Sequence, residues 1–326
     1  MKIGQVEAGE FPVMLAPMED ITDPPFRQLC RNFGADVVFT EFIASEGLIR
    51  DVEMSRRKLD FSESERPVGI QIFGHNVDSM VMAAKLADEA NPDFIDLNFG
   101  CPVRKIVNKG GGAALLQDIP LMLKITGSVV RAVSRPVTVK TRLGWDENSK
   151  VIVHLAEQLQ DEGISGLTIH GRTRAQMYSG KADWTLIGEV KNNPRLIIPI
   201  VGNGDITDGT SAAEKRAQTG VDGIMIGRGA TGNPWIFREV KHFLETGELL
   251  PGPGLIEKLE VCQAHLLASV AWKGEITSLL ETRKHYPHYF SGIPDFKPFR
   301  MRLMSAMTIR DIFLIFDEIR TKYVNK

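Results

Sequence analysis

The chain has 326 residues, 43% of them hydrophobic and 25% charged, with a formal net charge of −2. That length suits one large globular domain plus a small one, and a near-neutral total excludes a wholly basic nucleic-acid binder while leaving room for a local basic face. Three cysteines make no disulfide framework, no apolar run reaches the roughly 18 residues of a membrane span, and MKIGQVEAGEFPVMLAP lacks a signal-peptide layout, so the expected location is cytoplasmic.

Eight short β-branched runs recur along the chain: VMLAPM (13–18), VVFTEF (37–42), VGIQIFG (68–74), FIDLNFG (94–100), VTVKTRLG (137–144), LTIHGR (167–172), IPIVGNGD (199–205) and GIMIGRG (223–229). Continuous apolar runs of this length predict strands buried on both faces, as in a parallel sheet. Between them, residues 77–90, 119–133, 149–163 and 210–220 carry apolar residues at helical spacing, with Gly163 and Gly220 at C-cap positions. Eight β/α units within roughly 240 residues predict an α/β fold of the (β/α)8 TIM-barrel type. A doubly wound sheet would place a G-x-G-x-x-G turn after its first strand, and none is present.

The strand pattern stops near residue 245. GELLPGPG (247–254) reads as a linker, and 255–322 read as helices. The expected organisation is a barrel domain over 1–245 and an all-helical domain over 246–326. Segment 283–302 sets Arg283, Lys284, Lys297, Arg300 and Arg302 against Asp295, a net +4, among histidines and aromatics. The basic face concealed by the total charge is expected there.

A barrel of this kind places its chemistry at the C-terminal strand ends. Those ends carry Met18-Glu19-Asp20, Glu41, Gln71, Asn98 with Cys101, Lys140 with Arg142, His170 with Arg172, Asn203-Gly204-Asp205, and Gly227-Arg228. The last two, GNGD and GRG, offer glycines and backbone amides where such barrels hold phosphate, although either could be merely a tight turn. A lysine in a barrel mouth needs an anionic partner. Lys140 could serve an anionic ring such as a reduced flavin, or pair with Glu41 or Asp96.

Cys101 follows a strand end and precedes Pro102, whereas Cys30 and Cys262 sit in helical patterns as small buried hydrophobes. A thiol with an ordinary pKa near 8.5 is protonated at neutral pH and can donate a proton. Acting as a nucleophile would require a base beside it. The basic, glycine-rich VRKIVNKGGGAALL that follows is either an ordinary loop or a mobile lid.

Taken together, LAPMEDITDPPFR, LNFGCP, NKGGGAALL, VKTRLGWD, IHGRTRAQMYSGKADW, VGNGDI and IGRGATGNPWIF resemble the motif series of the tRNA-dihydrouridine synthases, most closely the bacterial B-type subfamily. The resemblance runs from about residue 11 to 302. It implies an FMN-dependent barrel with a helical RNA-binding domain, reducing the C5–C6 bond of uridine in the D-loop of tRNA with NADPH or NADH as donor. It implies hydride transfer to C6 and proton delivery to C5 by Cys101. It further implies that Ala16, Pro17 and Met18 line the flavin, and that Gln71, Lys140 and His170 contact it. Asn203, Gly204, Asp205, Gly227 and Arg228 would hold its phosphate end, and Asn98 would face the uracil. Arg142, Arg172, Gln176 and Tyr178 are expected near the flipped nucleotide, and Arg283, Lys284, His285 and Arg300 on the RNA backbone. No metal, no membrane and a monomer are expected.

The sequence departs from the family pattern where RKHYPHYF places Pro287 in a helical stretch, and where MRLMSAMTI lacks an expected Asn. Both departures fall in the RNA-binding part, leaving the target nucleotide open. The alternatives are an FMN barrel acting on a small metabolite of the dihydroorotate type, and a non-catalytic RNA-binding protein with a relic barrel.

Overall fold

The computed structural model describes residues 1–323. All eight expected runs form strands: β1 Val13–Leu15, β2 Val38–Phe39, β3 Val68–Phe73, β4 Phe94–Asn98, β5 Val137–Arg142, β6 Gly166–His170, β7 Ile200–Asn203 and β8 Gly223–Ile226. Neighbours from β2 through β8 pair in parallel, as do β8 and β1. A bridge between Met14 and Val37 closes the ring, with the Leu15 N–H donating to the Val37 carbonyl at 2.9 Å. The first two strands are shorter than their runs, and Pro17 cannot donate to a ladder.

Alternation along the strands divides each into an outer and an inner set. Outward residues such as Ile70, Ile95, Leu97 and Val139 pack in the main core with Met80, Ala84, Met122 and Ile125 of the surrounding helices. The interior is split by height. Its lower half is apolar, with Met14, Phe39, Phe94, Val201 and Met225 packed together. Ile3, in a hairpin of Lys2–Ile3 and Val6–Glu7, and Ala8 join that cluster and plug the bottom. The upper half carries Gln71, Asp96, Asn98, Thr138, Lys140, His170 and Asn203. Register places Gln71, Asp96 and Thr138 side by side, and likewise Arg142, His170 and Asn203.

The barrel helices start where side chains satisfy free amides. The Ser79 N–H donates to Asn76 Oδ1 at 2.9 Å to open Val77–Glu89, and the Leu121 N–H donates to Asp118 Oδ1 at 3.1 Å to open Ile119–Ala132. The helix expected from 149 begins at Ile152, because Lys150 first bridges to Gly144. Gly220 ends Gly209–Thr219 at φ 68°, a left-handed position suited to glycine.

Beyond the barrel lie helices Leu255–Lys273, Glu275–Thr282, Tyr286–Tyr289, Lys297–Ser305 and Ile309–Tyr323. They bury a second core containing Leu259, Leu266, Tyr286, Leu303, Ile312 and Phe316, which Trp235 joins from the barrel side. Pro287 does not break a helix. It occupies the first turn of Tyr286–Tyr289, where its missing N–H costs nothing. At the seam, the Phe26 ring lies 5.3 Å from that of His265 and 4.8 Å from that of His285. Among the described residues, no helix is long and apolar enough to cross a membrane.

Candidate functional site

The polar end of the barrel opens into a cavity of about 1010 Å³. Ala16, Pro17, Met18, Asn98, Cys101, Lys140, Arg142, His170, Tyr178, Asn203, Gly204, Asp205, Gly227 and Arg228 all line it. Residues from six strand ends thus converge on one space.

Lys140 projects from β5, and its ammonium donates to Asn203 Oδ1 at 3.2 Å. Asn203 is itself fixed by donating to the Met225 carbonyl at 2.7 Å. No carboxylate lies within 4 Å of Lys140 among the described residues, so the expected alternative of an ion pair with Glu41 or Asp96 is absent. Glu41 turns outward to Lys58 at 3.6 Å and accepts from the Asp20 N–H. Burial, with Arg142 nearby, lowers the Lys140 pKa to about 8. An ammonium with spare donors in an enclosed cavity suits an anionic ring atom.

Burial and the surrounding cations Lys140, Arg142, Arg172 and Arg228 hold the His170 pKa well below its ordinary value. Its imidazole is therefore neutral. Arg142 donates to the carbonyls of Gly100, Thr173 and Met177, tying the Cys101 loop to the loop after β6. Its guanidinium also lies 5.7 Å from the Tyr178 ring centroid.

The loops after β7 and β8 form a glycine-lined edge. Gly204 has φ +126°, and a Cβ there would come within 2.8 Å of Ala182 and 3.1 Å of His170. A Cβ on Gly227 would meet only Ala16 and Met18, at 3.6 and 3.7 Å, so it would stand in the cavity itself. These positions leave backbone where a phosphate could approach. The Asp205 side chain does other work: it accepts from Arg172, Arg228 and the Ala182 N–H, pinning the loop after β6.

Cys101 is 8% exposed and faces the cavity. Burial raises its pKa, only partly opposed by the Val103 amide, Arg142 and Lys140, so the thiol is protonated at neutral pH. Asn98 Oδ1 accepts from the Gly100 and Cys101 amides at 3.0 and 2.9 Å, which fixes the turn that presents the thiol. The glycine-rich stretch returns to the same turn. Ala113 donates to the Cys101 carbonyl at 3.0 Å, and a Cβ on Gly112 would lie 2.8 Å from that oxygen. Close approach explains this glycine without a lid.

Several residues named from the sequence lie elsewhere. Gln71 is fully buried and does not line the cavity; it bridges Asp96 and Asn98 beneath the floor. Arg172 is buried, donating to the carbonyls of Ser179 and Gly180 and to Asp205. Gln176 accepts from the Thr173 N–H at 2.7 Å and shapes its loop. His285 cannot grip a backbone phosphate: it is 3% exposed, and its Nδ1 accepts from the Gly232 N–H at 3.1 Å. Arg283 donates to the Ala306 carbonyl at 3.1 Å, Lys284 pairs with Asp20 at 2.7 Å, and Arg300 is exposed.

Asn233, Trp235, Lys258 and His288 also line the cavity, none of them named from the sequence. Asn233 and Trp235 follow the GRG turn within TGNPW and could have been read as part of the eighth loop. Lys258 and His288 reach the cavity only because the helical domain docks there, and no local pattern announces that.

Fold and site together define a closed parallel barrel with a polar cavity at its strand ends, roofed in part by the C-terminal helices. A model of the dihydrouridine synthase (Dus) family matches residues 14–318. The chain belongs to this family. It is 40% identical over 301 residues to a probable tRNA-dihydrouridine synthase of Rickettsia bellii, covering 92% of this chain and 91% of that protein. It is 42% identical over 291 residues to tRNA-dihydrouridine synthase B of Pseudomonas putida, covering 89% and 86%. Among solved structures it resembles histamine dehydrogenase from Rhizobium sp. 4-9, with TM-score 0.58 and 14% identity. That match covers 82% of this chain and 50% of the other, and it speaks for the fold alone.

Proposed function

We propose that this protein reduces uridine in the D-loop of tRNA to 5,6-dihydrouridine, with FMN as its flavin and NADPH or NADH as reductant. The observation that carries this reading is a protonated Cys101 thiol facing the same cavity as Lys140 and the glycine-lined edge of β7 and β8. Family membership supplies the reaction. The residues present fit FMN: Lys140 has donors to spare, and Gly227 leaves cavity space that a side chain would fill.

In this reading FMN, once reduced, supplies the hydride that goes to C6. Ala16, Pro17 and Met18 line one wall of the flavin site. Lys140 and neutral His170 face the ring, while Asn203, Gly204, Gly227 and Arg228 border its phosphate end. Cys101 donates its proton to C5, and Asn98 holds the thiol loop while bordering the base. The uridine has to leave its stack to reach this depth, and Arg142 and Tyr178 flank its path. Arg283, Lys284 and Arg300 face the RNA backbone from the helical domain. We assign the protein to the cytoplasm and to a monomer acting on one tRNA.

Cys101→Ala tests the reading. It is expected to abolish dihydrouridine formation on unmodified tRNA, scored by mass spectrometry, while the purified protein stays yellow and its flavin is still bleached by NADPH. Undiminished dihydrouridine formation by that variant would rule out the thiol as donor.

A further inference from the structure

The upper half of the barrel contains a carboxylate that the proposed chemistry does not use. Asp96 lies on β4 beneath the cavity floor, 1% exposed. Both of its oxygens are engaged. Oδ1 accepts from the Thr138 hydroxyl at 2.5 Å and Oδ2 from the Gln71 side-chain amide at 2.6 Å. Gln71 Oε1 accepts from Asn98 Nδ2 at 2.8 Å, and Asn98 Oδ1 accepts from the amides of Gly100 and Cys101. One line of hydrogen bonds therefore runs from Asp96 to the backbone of Cys101.

The line has a direction. An ionised carboxylate only accepts, whereas a carboxamide can face either way. Asp96 obliges Gln71 to turn its NH₂ group downward and its oxygen toward Asn98. Asn98 must then turn its NH₂ toward Gln71 and its oxygen toward the loop. Reversing the amides would set the Asn98 NH₂ against two backbone N–H groups, donors facing donors in a buried site. Burial raises the Asp96 pKa to about 6, with Gln71, Thr138 and Lys140 opposing, so the carboxylate is ionised at neutral pH.

We propose that Asp96 is a positioning residue: by fixing which way the Gln71 and Asn98 amides point, it holds the Cys101 thiol where it can deliver its proton. This rests on Cys101 being the proton donor. Asp96→Asn replaces an acceptor-only group with one that can also donate to Gln71, so both polarities of the line become available.

Stopped-flow measurement of the two half-reactions on the flavin-loaded protein tests the proposal. For Asp96→Asn, flavin content and the rate of flavin reduction by NADPH are expected to match wild type. Reoxidation by unmodified tRNA is expected to slow about 100-fold, as for a reacting group displaced by about 1 Å, with the KM for tRNA unchanged. Cys101→Ala is measured alongside. If Cys101→Ala is inactive but Asp96→Asn reoxidises at the wild-type rate, the positioning role is overturned and the reading of Cys101 stands. If Cys101→Ala itself reoxidises normally, that reading fails and takes this inference with it. If Asp96→Asn slows both half-reactions equally, Asp96 acts on the flavin side through Lys140 and the proposal is wrong. Should Asp96→Asn not fold, Gln71→Met cuts the same line with little change in volume. The same split is expected from it, and normal reoxidation would overturn the proposal.

Discussion

Lys273, the last residue of helix Leu255–Lys273, reaches across the seam between barrel and helical domain to Asp23, 2.5 Å away. Both side chains are under a tenth exposed. Asp23 also accepts from the Phe26 N–H, capping helix Pro24–Asn32, and Lys273 meets Glu281 as well. Burial disfavours the ammonium, but Asp23 and Glu281 outweigh it and raise its pKa. Lys273→Met should therefore strand a buried carboxylate and cost about 3–5 kcal/mol of stability. Urea unfolding would measure the loss, and adding Asp23→Asn in the same chain should recover part of it.

The protonated state of Cys101 sets a pH dependence. Burial lifts the thiol above its ordinary range. A donor of this kind is active below its pKa and lost above it. Reoxidation of the reduced flavoprotein by tRNA should thus stay level through neutral pH and through the ordinary thiol range and fall only above it, with Lys140 kept charged by the anionic ring against it. A fall centred near neutrality would assign the proton to another group.

Lys140 makes a prediction for the flavin-free protein. Its folded pKa is lowered from 10.5 to about 8, so between those values the unfolded chain binds the proton better. Stability should then rise with pH across that window. Lys140→Met should remove this rise and make the flavin-free protein more stable at pH 7, while weakening flavin retention. Urea midpoints at several pH values, compared between the two proteins, provide the check.

The basic segment divides into two kinds of residue. Arg300 is exposed, so Arg300→Ala should leave stability alone, weaken tRNA binding and lower the salt dependence of log Kd by about 1. His285 is packed between Phe26, His265 and Gly232, so His285→Ala should unfold more readily without changing that slope. Filter binding over a salt series separates the two.

The barrel was legible because each strand is a local object: a short apolar run with a polar end. The count of eight, the converging strand ends and the isolated character of Cys101 all follow from that locality. What escaped was everything decided by packing between distant segments. Gln71 stands at a strand end like Lys140, yet the register beside Asp96 turns it into an internal strut. His285 sits among cations in sequence, but the docking of Tyr286–Tyr289 against Phe26 buries it. Arg172 resembles a phosphate ligand until Asp205 and two carbonyls claim its guanidinium.

The apolar lower half of the barrel, stoppered by Ile3 and Ala8, has a kinetic consequence. With the floor closed, the proposed nicotinamide donor and tRNA would share the doorway at the strand ends. Each would then have to depart before the next arrives, with the proposed flavin holding the electrons across the interval. On the proposed reading this closed floor predicts alternation: parallel double-reciprocal plots and competition between the two visitors when either is in excess.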